Sequence, residues 1–170
     1  MRPIVRYTLG IAIMVQVTGA LPSLGAQGSS FNACKVFDAA ELKKLTGRKD
    51  FLGRGPIAND PSELPKNMSA CSYLEIHFGV TSNVTPELFA RNRKQQEARP
   101  DRWKVESVSG VGDEAYFMWD KRPGDDRQVG IVVRANGKSL TIEDTVPSDS
   151  IETMKKFMVS LAKQATPRMK

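Results

Sequence analysis

Residues 108–144 decide the fold, and they read in order VSGVGDEAYFMWD, KRPGDDR, QVGIVVR, ANGK and SLTIED. Three apolar runs are separated by two turn signals, Pro123-Gly124 and Asn136-Gly137, and an Asn-Gly pair is the strongest short hairpin signal. Apolar residues alternate with polar or small ones in the later runs, which indicates strands with one buried and one wet face. The segment therefore predicts an antiparallel meander of three strands.

The first half of the chain alternates helix and strand. Residues 33–45 carry the pattern of a short helix that Asp38 caps, and residues 71–80 alternate as a single strand. Between them, residues 48–69 hold three prolines and two glycines but few consecutive apolar residues, which is typical of a long surface loop. A Thr-Pro-Glu sequence that starts at Thr85 predicts a second helix, which should run to about Ala98.

The clearest amphipathic helix lies near the end of the chain. Apolar residues recur at helical spacing from Ile151 to Ala165, after Asp149 and Glu152, a pair that resembles a capping box. Its methionines could form a promiscuous binding face, but core packing is the commoner use of methionine at this spacing. Residues 167–170 are expected to form a frayed basic tail.

The first 26 residues have the pattern of a signal peptide. Arg2 and Arg6 precede an apolar run over residues 9–17, and residues 24–26 offer a small-residue cleavage site. The run is shorter than the about 20 residues that span a bilayer, so a cleaved signal is favoured over a retained membrane anchor. Cleavage would take the net charge from +6 to +4, and residues 27–33 would form a linker.

Two cysteines, Cys34 and Cys71, follow the predicted signal. An even number of cysteines in an exported protein suggests a disulfide, with free thiols or a metal site as the alternatives. A zinc site is disfavoured, because the chain has one histidine and no C-x-x-C spacing.

These elements predict a single α+β domain over residues 34–166. It would contain an antiparallel sheet of about four to five strands, helices packed on one face, and one disulfide. The predicted core consists of Leu42, Leu45, Leu74, Ile76, Phe78, Phe117, Val129, Ile131, Val133, Leu140, Ile142, Ile151, Met154, Met158 and Leu161.

Residues 108–117, VSGVGDEAYF, resemble a segment of the small exported domains grouped as DUF3558-like. They resemble more loosely the extracellular sensor domains of mycobacterial serine/threonine kinases. The shared order is a cysteine before a short helix, a second cysteine opening a strand, a helix, this segment, a hairpin and a C-terminal helix. The resemblance covers most of residues 34–165 and implies a disulfide-closed domain that binds or senses. Many such proteins are lipoproteins or kinase-linked, whereas this sequence shows neither a lipidation motif nor a kinase region.

The sequence offers few candidates for catalysis. His77, with Glu75 on the same predicted strand face, could form an acid–base pair, but no nucleophile or metal set accompanies it. Gly110 and Gly112 are interpreted as turn glycines, because the segment lacks the phosphate-loop pattern. Asp125-Asp126 lacks the further ligands that calcium requires.

A basic cluster is the predicted contact surface for a partner, and it consists of Arg91, Arg93, Lys94, Arg99, Arg102, Trp103 and Lys104. Such a cluster suits a polyanion. Export argues against nucleic acid, which leaves an anionic lipid, a glycan or a protein. A solvated helix face is the plainer interpretation.

The sequence therefore predicts a periplasmic or secreted, non-enzymatic module that binds or senses a protein or an anionic envelope component. No cofactor, metal or nucleic acid is expected, nor a transmembrane segment once the signal is removed. Three surfaces are candidates for contact: the wet face of the sheet, the loop 48–69 and the basic second helix. The alternatives are an inhibitor or immunity-type protein against an envelope-acting enzyme, a structural envelope protein, and a small hydrolase-type enzyme using His77 and Glu75.

Overall fold

A computed structural model describes residues 32–46, 57–58, 64–73 and 76–170. The helices and strands in chain order are α1 (Ala39–Thr46), β1 (Ile57–Ala58), β2 (Met68–Tyr73), β3 (Ile76–Ser82), α2 (Pro86–Glu97), β4 (Trp103–Val108), β5 (Glu114–Asp120), β6 (Asp126–Ala135), β7 (Lys138–Pro147) and α3 (Ile151–Ala165). The predicted signal peptide, most of the predicted loop 48–69 and Glu75 lie outside the described residues. Among the described helices, none is both long and apolar enough to cross a bilayer.

The seven described strands form one antiparallel sheet in the order β1-β2-β3-β7-β6-β5-β4. The predicted meander is confirmed as β5, β6 and β7, and β6 pairs with β7 from Asp126↔Pro147 to Ala135↔Lys138. At the tip of this hairpin, Asn136 and Gly137 have φ values of 52° and 69°. Both are left-handed, as a two-residue type I′ turn requires. The α+β class is confirmed, with more strands than predicted.

The single strand predicted over residues 71–80 is wrong. β2 and β3 are separate antiparallel strands, and their register partners extend to Tyr73↔Ile76. Apolar alternation continues through the reversal without a glycine, proline or asparagine to mark it, so the period alone could not locate the turn. The loop predicted over residues 48–69 also contains strand residues, since β1 and the start of β2 fall within it.

The main core lies between the sheet and the helices α1 and α3. Alternate strand residues such as Phe78, Phe117 and Ile142 meet Met158 and Leu161 of α3 there. All predicted core residues that are described belong to this core or its margin, where Leu45, Ile151 and Met154 are partly buried. Leu74 lies outside the described residues. The methionines are therefore packing residues, as expected.

The observed helix caps agree only in part with those predicted from the sequence. Asp38 accepts a 2.7 Å hydrogen bond from the Glu41 amide at the start of α1. Thr85 likewise accepts from the Leu88 amide at the start of α2, so both predicted caps are confirmed. The capping box predicted from Asp149 and Glu152 is wrong, because α3 continues directly from the 3-10 turn Ser148–Ser150 and the side chain of its N-cap, Ser150, accepts no hydrogen bond from the helix backbone.

The helix α2 packs on the opposite face of the sheet, which corrects the expectation of helices on one face. Successive residues of β5 point to opposite faces. Phe117 therefore lies in the main core, while Tyr116 and Met118 enter a smaller cluster with Phe89 of α2 and Trp103. The rings of Phe89 and Tyr116 lie 5.4 Å apart.

The predicted disulfide between Cys34 and Cys71 is confirmed, with Cα atoms 5.1 Å apart. It fastens the 3-10 turn Ala33–Lys35 to β2. The Ala33 amide also donates a 2.9 Å hydrogen bond to Ser69 Oγ. The Tyr73 hydroxyl donates to the carbonyls of Cys34 and Phe37, so several independent contacts hold this segment against the sheet.

The expectation of a frayed basic tail is wrong for Arg168 and Met169. Met169 is fully buried in the main core. Arg168 donates to the Val36 carbonyl at 2.6 Å and forms a bidentate ion pair with Glu41. This segment is short and charged, so it has no apolar periodicity from which packing could be predicted. Only its tertiary contacts reveal that it closes the domain.

Replacing Arg168 with alanine should lower the free energy of unfolding by about 1 kcal/mol, the usual size of a partly exposed charged contact. The side-chain hydrogen bond from Arg168 lowers the pKa of Glu41 below its ordinary value of 4.5. A depressed folded-state pKa stabilises the fold above the unfolded-state pKa. The ion-pair part of the difference should therefore be lost as pH falls through the folded value, leaving the part that the hydrogen bond to the Val36 carbonyl contributes. Urea unfolding at several pH values measures it, with the exposed Lys163→Ala as the control. A difference of the same size at neutral and at low pH would contradict the ion-pair explanation.

Candidate binding cleft

The face of the sheet opposite α1 and α3 is only partly covered. The helix α2 packs over β4 and β5, and no other described helix packs on that side. We call the remaining surface, formed by β3, β7 and β6, the open face. Strand alternation and register place the following side-chain positions on it: His77, Gly79, Thr81, Gln128, Gly130, Thr141, Glu143 and Thr145.

A cleft of about 390 Å³ lies at one end of the open face, against the chain that leaves β5. The volume falls within the range of small-ligand sites. The lining residues are His77, Asp120, Arg122, Pro123, Asp126, Gln128, Glu143, Asp144 and Thr145. The side chains on the strands are fixed by the sheet, and those of the β5–β6 connection form the rim.

His77 and Glu143 form the floor of the cleft. They are cross-strand partners on β3 and β7, so their side chains are neighbours. Burial lowers the pKa of His77 and raises the pKa of Glu143, which favours the neutral form of both groups. Gly130, the partner of Glu143 on β6, leaves space for it, because a Cβ there would lie 3.4 Å from Glu143 Cγ.

Asp120 and Arg122 form one wall of the cleft. The Asp120 side chain is only 8% exposed, and Arg122 donates to it from its amide and its guanidinium. Burial opposes ionisation of Asp120, but the hydrogen bonds and charge of Arg122, with the charge of Arg102, lower its pKa overall. The charges of Asp120 and Arg122 therefore neutralise each other. This wall supplies no unpaired charge to the floor of the cleft.

The floor does not form a catalytic relay within the described residues. His77 Nδ1 is hydrogen-bonded to Ser72 Oγ at 2.8 Å. No hydrogen bond or ion pair joins Glu143 to either His77 or Ser72, so among the described residues no carboxylate orients the imidazole. The predicted pairing of His77 with Glu75 cannot be placed, because Glu75 lies outside the described residues.

The basic residues predicted from the sequence do not share one surface. Arg93 is ion-paired with Glu97 at 2.7 Å and donates to Ser107. Arg102 lies 4.7 Å over the ring of Trp103, which is itself buried in the α2 cluster. Both arginines therefore have partners within the domain.

The remaining members of the basic set divide between two faces. Lys104 is the register partner of Trp119, so it points towards the α3 side of the sheet. Arg91, Lys94 and Arg99 are exposed on or just beyond α2. Only these three could form the predicted anionic-partner surface, and their role as one stays a prediction.

The sequence alone does not predict that the residues of the cleft lie together. Glu143, Thr145 and Gln128 alternate with buried residues, which places each on a wet face but does not mark it as functional. The signal that unites them with His77 is the pairing of β3 with β7, strands that are far apart in sequence.

No family model and no curated protein matches the chain. A similar solved structure is the solution structure of cyanobacterial PsbP (CyanoP) from Synechocystis sp. PCC 6803. It is 14% identical, with a TM-score of 0.38, and the match covers 64% of this chain and 79% of that one. A likeness at this level carries no argument about function.

Proposed function

We propose that the chain is an exported, non-enzymatic binding or sensing module, periplasmic or secreted, whose site is the cleft on the open face. The observation that carries this proposal is the floor of the cleft, where His77 and Glu143 are half-buried without an ionic partner among the described residues. Titratable groups that a cleft holds partly buried, with pKa values shifted towards the neutral form, are typical of ligand-binding sites.

Two further features support export and a binding role. A disulfide persists in proteins that fold in oxidising compartments, and Cys34–Cys71 closes this domain. The N-terminal pattern of residues 1–26 is that of a signal peptide. The resemblance to DUF3558-like exported domains, which also implies binding rather than catalysis, agrees with this proposal.

Capture from an envelope extract tests the proposal. The chain is expressed from its full sequence with export to an oxidising compartment, immobilised, and incubated with the extract under non-reducing conditions. Thr145→Arg adds a bulky side chain at an exposed position of the cleft, whereas Ser160→Arg makes a comparable change at an exposed position of α3. A captured component should fall at least tenfold with Thr145→Arg and remain unchanged with Ser160→Arg.

A third variant separates the cleft from the basic surface. Arg91→Glu with Lys94→Glu reverses the exposed charge of α2 without touching the cleft. Retention of the captured component by this variant is expected. If the component is lost here and kept by Thr145→Arg, the site is on α2 and the cleft proposal is wrong. A captured enzyme that loses activity when bound would place the protein in the inhibitor or immunity-type class.

A further inference from the structure

The cleft contains a set of side chains with unused hydrogen-bonding capacity. The Nδ1 atom of His77 is hydrogen-bonded to Ser72 Oγ, and Nε2 has no hydrogen-bond partner among the described residues. Among the described residues, the side chains of Gln128, Glu143 and Thr145 make no hydrogen bond. Four adjacent groups that can donate or accept are thus available to a ligand.

The sheet holds these four groups in a regular arrangement. His77 is opposite Glu143, and Gln128 is opposite Thr145, while Glu143 and Thr145 are two residues apart on β7. Neighbouring strands are about 4.8 Å apart, and residues two apart on one strand are separated by roughly 6.8 Å. Groups at these spacings can reach hydroxyls on different sides of one six-membered sugar ring.

The electrostatic environment favours an uncharged ligand. Asp120 on the wall is already paired with Arg122, so it offers no free charge. Burial moves the pKa of Glu143 upward and that of His77 downward, and both shifts favour neutral groups. An anion would lie beside Asp126 at the rim, whereas a cation would meet a floor where burial favours the neutral form of Glu143.

We infer that the cleft binds a neutral polyhydroxyl ligand of about one or two sugar rings, the chemistry of an uncharged envelope glycan, through His77, Gln128, Glu143 and Thr145. This inference rests on the proposed function, because it names the ligand class of that same cleft. In the inferred complex, the Glu143 carboxyl acts as a hydrogen-bonding group rather than as a charge.

A titration of the ¹⁵N-labelled full chain, followed by amide chemical shifts, tests the inference. The probes are the neutral disaccharides N,N′-diacetylchitobiose, cellobiose and mannobiose, with spermidine as the cationic comparison. At least one neutral sugar should shift amides of β3, β6 and β7 around the cleft. Spermidine should leave those amides unchanged.

Variants of two residues determine how the ligand is held. Gln128→Ala and Glu143→Ala should each weaken binding of the sugar about tenfold, which is the size of one lost hydrogen bond. Glu143→Gln should remain within about threefold of the wild type, because an amide keeps the hydrogen bonds without the charge. Amide spectra confirm that each variant is folded, and Gln128→Ala provides an independent readout if Glu143→Ala does not fold.

The possible failures are distinguishable. Binding of spermidine that is abolished by Glu143→Gln would show a cation site and overturn the inference. If no sugar binds while envelope capture still depends on Thr145, the ligand class is wrong but the cleft remains a binding site. If neither sugars nor an envelope component depend on the cleft, the proposed function fails as well.

Discussion

Replacing Cys34 and Cys71 together with alanine should lower the free energy of unfolding by about 4 kcal/mol. The two cysteines are 37 residues apart, and closing a loop of this length reduces the entropy of the unfolded chain by roughly that amount. For a chain of this size the melting temperature should fall on the order of 10 °C. Thermal unfolding followed by circular dichroism measures the change.

A reductant provides the matched control for this prediction. Reducing the wild-type protein opens the same loop without changing a side chain, so its stability should approach that of the double variant. The double variant itself should not respond to the reductant. A wild type whose melting temperature is unaffected by reduction would show that the contacts of Ala33 and Tyr73 alone hold the N-terminal segment.

Replacing Gly112 with alanine should lower the free energy of unfolding by about 3 kcal/mol, combining backbone strain with overpacking. Gly112 has φ +60°, and a Cβ there would lie 2.5 Å from the Arg134 carbonyl and 2.6 Å from Val133 Cγ1. Val133 is fully buried, so it has no room to move. The neighbouring Asp113 amide donates to the same carbonyl at 2.8 Å, which fixes the close approach.

The matched control for Gly112 is the adjacent turn glycine, Gly110. It also has a positive φ, of 72°, but a Cβ there would have no neighbour within 4 Å. Gly110→Ala should therefore cost only about 1 kcal/mol, from backbone strain alone. Urea unfolding compares the two variants. Equal losses would contradict the explanation, because they would show that steric contact with β6 adds nothing at Gly112.

The sequence predicts the meander well because its signals are local. The turn at Asn136-Gly137 and the alternation on both sides of it lie within one short stretch. The caps of α1 and α2 are local for the same reason, since Asp38 and Thr85 bond to amides three residues later. These contacts need no information from the rest of the chain.

The features that the sequence does not predict depend on distant partners. The boundary between β2 and β3 has no turn residue, and Arg168 acquires its role only beside Glu41, more than a hundred residues earlier. The cleft also depends on residues that are distant in sequence. His77 and Glu143 become neighbours because β3 lies next to β7 in the sheet, a pairing that neither strand's own pattern indicates.

The most direct test of the central claim is to locate the contact surface by photocrosslinking. A diazirine side chain is placed at Thr145 in the cleft, at Arg91 on α2, or at Ser160 on α3, and the full chain is irradiated in envelope extract. The cleft proposal predicts a discrete adduct from position 145 and none from positions 91 and 160. An adduct from position 91 without one from position 145 would contradict it and assign binding to the basic helix.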